Sequence, residues 1–286
     1  MGLSLSDQVV LITGASSGIG EALALRLAES KTRMVLAARR EGVLQTVKDL
    51  VIRKGGEVLV VPTDMADPQQ VKGLAEKALD HFGQVDVLVN NAGFGQMGPI
   101  EEVNEDAVRQ QFDVNVFGLL TLTRALLPQM RERQQGLIMN ISSVAGQISM
   151  PFSGIYNASK HAVEAISDAL RVEIAPFGIR VVVIEPGPVS TEFFRVAEEK
   201  ATSIIAQNSP YQVALERMES RAQSIDRIAW PVEKVVDVMI KALTAPNPAP
   251  RYTAFGAGKL GLGLIRLLPA TWADRMWIRM LDLQEH

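Results

Sequence analysis

Tyr156 and Lys160 stand four residues apart, and Ser143 precedes the tyrosine by thirteen. A hydroxyl, a phenol and an ammonium held together could pass a proton to or from an oxygen atom. Such a set needs elements that bring it together. After Tyr156, apolar residues recur in a helical pattern through Ala162, Val163, Ala165, Ile166, Ala169, Leu170 and Val172. A spacing of four on a helix stacks Tyr156 and Lys160 on one face. Ser143 ends the run Leu137-Ile138-Met139-Asn140-Ile141, which reads as a buried strand. A strand end and a helix face are therefore expected to meet here. In isolation the pair could equally be one side of an amphipathic helix, so the rest of the chain decides.

Val9-Val10-Leu11-Ile12 reads as a strand covered on both faces. Thr13-Gly14-Ala15-Ser16-Ser17-Gly18-Ile19-Gly20 follows, then a helical pattern with Ala22, Leu23, Leu25, Leu27 and Ala28. Between strand and helix, glycines let the backbone approach a phosphate, and the helix N-terminus offers unpaired N–H groups and a positive dipole end. Glycines alone also serve tight turns; the strand and helix on either side favour dinucleotide binding. A second strand, Met34-Val35-Leu36-Ala37-Ala38, ends where an NAD-type site places a carboxylate for the ribose 2′-hydroxyl. Ala38 stands there instead, followed by Arg39-Arg40. Guanidinium forks suit a 2′-phosphate, so NADP(H) is favoured over NAD(H). The alternative is a solvated basic pair opening a helix, where cations are disfavoured.

The alternation continues. A third strand at 58–61 leads to Thr63-Asp64, and a fourth at 85–89 leads to Asn90-Asn91-Ala92-Gly93. A long helical region is expected over about 106–133, with Asn115 in an apolar stretch. Further strands are expected at 180–184 and 252–255, the first ending in Glu185-Pro186-Gly187-Pro188-Val189-Ser190-Thr191. Alternating strands and helices imply one α/β domain, a Rossmann-type doubly wound parallel sheet of about seven strands with helices on both faces. The chain has no cysteine, which excludes disulfides and thiolate chemistry. Its three histidines, His81, His161 and His286, do not stand at metal-ligand spacing, so no metal is expected. With 29 basic and 32 acidic residues the net charge is −3, which gives no reason to expect nucleic acid as a partner. No signal pattern opens the sequence and no run is long enough to span a membrane, so the expected location is the cytoplasm.

In the order and spacing of these motifs the chain resembles the short-chain dehydrogenase/reductase family over roughly residues 6–255. Thr13-Gly14-x-x-x-Gly18-x-Gly20 is similar to the family's cofactor loop, and Asn90-Asn91-Ala92-Gly93 to its motif after the fourth strand. Asn115, Ser143, Tyr156 and Lys160 fall on its catalytic positions, and Pro186-Gly187 with Thr191 on its nicotinamide-side loop. The resemblance implies cofactor contacts from Gly14, Ser16, Ser17, Gly18, Ile19, Gly20, Arg39, Arg40, Asp64, Asn91, Ala92, Gly93, Tyr156, Lys160, Pro186, Gly187, Val189 and Thr191. It also implies that Lys160 binds the nicotinamide ribose and that Asn115 holds a water linking Lys160 to solvent. Tyr156 would then be the general acid/base and Ser143 the hydrogen-bond donor to the reacting oxygen. A phenol titrates near ~10, and Lys160 beside an oxidised nicotinamide is expected to lower that value. The implied reaction is hydride transfer between a carbonyl and an alcohol, in a homodimer or homotetramer. The alternatives are a non-catalytic nucleotide sensor on the same fold and a Rossmann-like methyltransferase. The first would be expected to lose one of these residues, and the second gives no reason for the Tyr/Lys pair.

Ser143, Ile148, Met150, Phe152, Tyr156, Phe193 and Phe194 are expected to line the substrate cleft, under a lid at about 188–230. Their character suggests an apolar substrate. Beyond the family core, residues 256–286 form an amphipathic helical extension with apolar positions at Trp272, Met276, Met280 and Leu283. This tail could pack on its own body or a partner subunit, lie in a membrane interface, or cover the cleft.

Overall fold

The computed structural model describes residues 5–6, 8–193, 195–197, 209–225, 229–256, 265, 267–281 and 283. Short apolar runs become strands here because amphipathic helices cover both of their faces. The strands are β1 (Val9–Thr13), β2 (Arg33–Ala38), β3 (Glu57–Pro62), β4 (Val87–Asn90), β5 (Gly136–Ile141), β6 (Ile179–Pro186) and β7 (Arg251–Ala254). All pair in parallel, in the order β3-β2-β1-β4-β5-β6-β7. The helices are α1 (Gly18–Ala28), α2 (Glu41–Arg53), α3 (Pro68–Phe82), α4 (Glu105–Phe112), α5 (Leu119–Glu132), α6 (Gly154–Ile174), α7 (Gln212–Ile225), α8 (Val232–Thr244) and α9 (Ala270–Leu281). The expected doubly wound sheet is what the chain forms.

Side chains along β1 alternate between two cores, as the two-residue period of a strand requires. Val10 and Ile12 join Leu23, Leu27, Leu44, Val235 and Met239 from α1, α2 and α8. Val9 and Leu11 join Leu74, Leu122, Leu126 and Met130 from α3 and α5. Each such fully buried side chain contributes roughly 1.5–3 kcal/mol. Strand order reverses between β1 and β4, which opens a crevice at the carboxyl ends of the strands. Thr13, Asn90, Ile141 and Pro186 end their strands on this edge.

A buried polar ladder holds the elements beneath the crevice. Asn90 Nδ2 donates to Asn140 Oδ1 at 2.9 Å and to Thr123 Oγ1 at 3.1 Å. Asn140 Nδ2 donates in turn to Ser167 Oγ at 2.8 Å, so β4, β5 and α6 are pinned together. Ser167 donates onward to the Val163 carbonyl within α6.

The region 106–133 is not one helix. Between α4 and α5 the chain widens into a π-helical turn, Asp113–Gly118. Gly118 lies against the Met65 carbonyl, where a Cβ would approach to 2.3 Å. The widened turn contains Asn115, which is buried.

The tail packs on its own body: Leu281 is buried, and Leu283 packs with it on Phe152, Tyr211, Ala214, Leu215 and Met218. The helix α9 therefore lies on α7 of its own chain, while Trp272 is 63% exposed. Among the described residues, no helix is long and apolar enough to cross a membrane.

Candidate active site

The loops after β1 and β4 are stitched by one hydroxyl. Thr13 Oγ1 accepts from the backbone N–H groups of Asn91 and Ala92, both at 3.0 Å. Asn91 Nδ2 returns hydrogen bonds to the carbonyls of Thr13 at 2.9 Å and Gly14 at 3.2 Å. Two glycines are required by this closeness. Gly14 has φ +65 and would place a Cβ 2.9 Å from Ala92 Cα, and a Cβ on Gly20 would lie 2.5 Å from the Gly14 carbonyl oxygen. Asn91 thus shapes the glycine loop from behind. Ser17 precedes α1 without capping it through its side chain, leaving the first-turn N–H groups of the helix turned to the crevice edge.

A cavity of about 700 Å³ opens beside this loop, lined by Ser17, Gly18, Ala22, Thr191, Glu192 and Val232 among others. The Thr191 side chain would lie 3.3 Å from a Cβ on Gly18, so the start of the lid rests on the glycine loop. Arg39 and Arg40 are both exposed at the end of β2. Arg40 reaches back over the loop, with Nη2 3.3 Å from Ser16 Oγ and 3.5 Å from the Ser16 carbonyl. A loop of close backbone, an uncapped helix start and two guanidinium groups form a cradle that fits a phosphorylated dinucleotide. Asp64 is engaged locally: Oδ1 accepts from Ala66 N at 3.0 Å.

At the other end of the crevice, β5 and α6 bring the reactive groups together. Ser143 follows β5 and is buried; its Oγ donates to the Pro186 carbonyl at 3.4 Å and accepts from Ala145 N at 3.1 Å. Tyr156 and Lys160 are buried on one face of α6, and Lys160 Nζ lies 5.9 Å from the centre of the Tyr156 ring. Lys160 Nζ donates to the Ile141 carbonyl at 2.8 Å. Asn115 enters from the π turn. Its Oδ1 accepts from Phe94 N at 3.1 Å, and its Nδ2 donates to the Phe94 carbonyl at 3.0 Å and to Ser159 Oγ at 3.1 Å. Asn115 and Lys160 converge on Gly93, where a Cβ would sit 3.1 Å from Asn115 Oδ1 and 3.6 Å from Lys160 Nζ.

Burial dominates the electrostatics of the pair. Burial pushes the Tyr156 phenol up to about 12, with Ser143 opposing the rise. Burial also pulls the Lys160 ammonium down to about 8, with the charge of Glu164 opposing the fall. The protein's own groups therefore do not lower the phenol. Lys160 gives its hydrogen bond to the Ile141 carbonyl, and the cost of burying a phenolate dominates at Tyr156.

The substrate residues divide. Phe193 packs at 5.6 Å from the Tyr156 ring and stands over the reactive centre. Ile148 and Met150 are half-buried in the loop between β5 and α6, and the Ile148 carbonyl accepts from Asn157 Nδ2. Phe152 turns toward the lid instead, edge-on to Tyr211 at 5.8 Å, with φ +60. Phe194 lies outside the described residues. Pro186 ends β6, and Gly187 packs under the Phe255 ring, where a Cβ would clash at 2.3 Å. His161, beside Lys160, hydrogen-bonds within its own helix, with Nδ1 2.9 Å from the Asn157 carbonyl.

Three structural contributors escaped sequence reading. Buried Gln111 holds the loop after β4, accepting from Gln96 N at 2.6 Å and donating to the Phe94 carbonyl at 2.8 Å. Ser159 supports Asn115; its place inside the Tyr156–Lys160 turn was the available signal. Glu164, one turn beyond Lys160, pairs with Arg251, a contact that no local pattern reveals.

The fold and these groups define a nucleotide-dependent oxidoreductase of the Rossmann type. The sequence profile of the short chain dehydrogenase family matches residues 8–202, and the chain belongs to that family. It is 38% identical over 232 residues to dehydrogenase/reductase SDR family member 7B of Mus musculus, covering 80% of this chain and 70% of that one. It is 36% identical over 256 residues to 17-beta-hydroxysteroid dehydrogenase type 1 of Homo sapiens, covering 87% and 77% respectively. A crystal structure of a short chain dehydrogenase/reductase from Burkholderia phymatum, in complex with NAD, superposes with a TM-score of 0.81 at 29% identity. That match covers 92% of this chain and 94% of the other.

Proposed function

We propose that the protein is an NADP(H)-dependent oxidoreductase that interconverts a carbonyl and an alcohol, with an apolar substrate. The observation that carries this reading is the buried convergence of Ser143, Tyr156, Lys160 and Asn115 at the mouth of a phosphate-fitting cradle. A nicotinamide bound there supplies the hydride. Tyr156 is the general acid/base. A phenol at about 12 is protonated throughout the neutral range, which suits donation to a carbonyl oxygen and supports reduction as the working direction. Ser143 holds the same oxygen by hydrogen bond, and Lys160 supplies positive charge beside the developing anion and binds the cofactor ribose. Asn115 fixes the loop at Gly93, and the water it is held to carry follows from the family resemblance.

The preference for NADP(H) rests on Arg39, Arg40 and the missing carboxylate at Ala38; the Burkholderia phymatum neighbour, in complex with NAD, makes that preference the point most in need of test. The apolar substrate rests on Phe193 over Tyr156, the apolar lid contacts and the similarity to a hydroxysteroid dehydrogenase. A non-catalytic sensor gains no support from a site in which every reactive group is present.

Subunit pairing and membrane contact extend the same reading. Phe117 and Val172 are 55% and 70% exposed beside the π turn and on α6, which favours a homodimer or homotetramer built across these helices. Trp272 and Leu267 are 63% and 82% exposed beside the lid, together with Val213 on α7, which favours peripheral contact of the tail with a membrane by a cytoplasmic enzyme.

Four measurements test these points. Tyr156→Phe should reduce carbonyl-dependent loss of NADPH absorbance by about 1000-fold or more, as removal of a positioned acid does, with NADPH binding kept. Near-normal turnover would remove Tyr156 from the mechanism. Arg39→Asp should move the preference toward NADH, and a wild type that uses both cofactors equally overturns the role given to Arg39. Sedimentation should show Phe117→Glu as a monomer beside an oligomeric wild type; an unchanged oligomer refutes pairing at that face. The double variant Leu267→Glu, Trp272→Glu should lose co-sedimentation with liposomes, and equal partitioning of both proteins counts against membrane contact.

A further inference from the structure

Behind the reactive face of α6 lies a buried charge cluster that the mechanism above does not use. Glu164 is four residues beyond Lys160 on α6, and both are buried. Glu164 Oε2 pairs with Arg251 Nε at 3.0 Å, and the same nitrogen lies 3.5 Å from Glu185 Oε1 on β6. Arg251 also pairs with Asp168, one turn further along α6, at 2.5 Å. Asp168 is shared with Arg171 at 2.6 Å. Glu185 is separately satisfied by Thr253 Oγ1 at 2.8 Å and Gln147 Nε2 at 2.9 Å.

The chain around Ser143 closes over Glu164. A Cβ on Gly146 would stand 2.8 Å from Ser142 Oγ, 3.0 Å from Glu164 Cγ and 3.0 Å from the Lys160 carbonyl oxygen. Only a glycine lets the turn after Ser143 lie so near. Ser142 Oγ and Glu164 Oε1 are both buried and form no hydrogen bond of regular geometry, while the Ser142 hydroxyl is close enough to work against the rise of the Glu164 carboxyl. A carboxylate with one oxygen on Arg251 and one oxygen free is an anion whose field is not fully spent on its ion pair. The nearest cation on its own helix is Lys160, whose Nζ donates to a neutral carbonyl, that of Ile141.

We infer that Glu164 is a positioning residue for Lys160: its buried carboxylate, paired with Arg251 and one helical turn away, keeps the Lys160 ammonium charged. The inference rests on the reading of Lys160 as the site's cation. The groups that face Glu164 are Lys160 and Asp168 from α6, Ser142 at the end of β5, Glu185 from β6 and Arg251 from β7. Burial raises the Glu164 carboxyl, and the charge of Glu185 adds to that rise; Ser142 and Arg251 act against it. Two buried acids are thus held beside one arginine. Burial in turn draws Lys160 down to about 8, close enough to neutrality for a neighbouring anion to decide its charge. The sign follows: loss of the Glu164 charge lowers Lys160 further, so the ammonium is lost at a lower pH.

The test measures two midpoints on the full chain. One is the alkaline limb of kcat for carbonyl reduction with NADPH. The other is the pH dependence of trace acetylation of Lys160 by acetic anhydride, read by mass spectrometry without cofactor. Glu164→Gln should move both midpoints down by about 1 pH unit, the size expected for one close opposite charge. Glu164→Asp keeps the charge and should restore at least half of the shift. Asp168→Asn removes an acid from the same arginine but one turn further from Lys160, and should leave both midpoints at the wild-type value. Unmoved midpoints in Glu164→Gln overturn the inference, as does a Glu164→Asp shift equal to that of Glu164→Gln. An equal shift in Asp168→Asn overturns it as well. If the wild type reduces no carbonyl with either cofactor, the functional reading fails while the acetylation midpoints still judge Glu164.

Discussion

A buried ammonium constrains everything around the site. Taking a lysine out of water costs several kcal/mol unless hydrogen bonds and opposite charge offset it. Lys160 receives one carbonyl from the end of β5, the approach of Gly93 from the loop after β4, and an anion one helical turn away. Each partner arrives on a different element, so the site forms only when β4, β5 and α6 are in register. The Asn90–Asn140–Ser167 ladder provides that register beneath it, using short side chains whose hydrogen bonds span the three elements.

The same economy governs the cofactor end. The glycine loop is held by Thr13 and Asn91 before any ligand contact is considered, and two of its glycines are required by the protein's own backbone. The residues that resemble cofactor ligands therefore have a prior structural duty: they set the separation of the β1 and β4 loops. What is left over for a ligand is the start of α1, the Arg39-Arg40 pair and the cavity under the lid. One extra residue would break the Thr13–Asn91 stitch as well as the cradle.

Most of the fold was legible because its signals are local. Continuous apolar runs, a glycine loop and a Tyr/Lys spacing of four need no distant information, and the strands and the reactive triad fall where those signals place them. What was not legible depends on contacts between distant segments. The π turn exists where Gly118 meets a carbonyl at Met65, and hydrophobic periodicity through 106–133 carries no trace of that meeting. The Glu164–Arg251 pair joins a helix to an edge strand 87 residues on. The tail's packing was left open in the sequence for a similar reason: Leu281 and Leu283 are chosen by the surface of α7, and the outward Trp272 has the same helical spacing as a core residue.

The burial that raises Tyr156 and lowers Lys160 has one origin, and it assigns the two residues different work. A phenol near 12 and an ammonium near 8 cannot exchange a proton downhill from tyrosine to lysine at neutral pH. The chain alone thus holds Tyr156 as a poised acid and Lys160 as the group whose charge is negotiable. In the reaction proposed above, reduction of a carbonyl would leave the phenolate beside that charge, and the carboxylate of Glu164 with Arg251 on the edge strand is the group proposed to hold it. The lid packs on Phe152 through Tyr211, Ala214, Leu215 and Met218, with Leu281 of α9 against them, while its Phe193 lies over the Tyr156 ring, so apolar contacts border the polar groups of α6 directly.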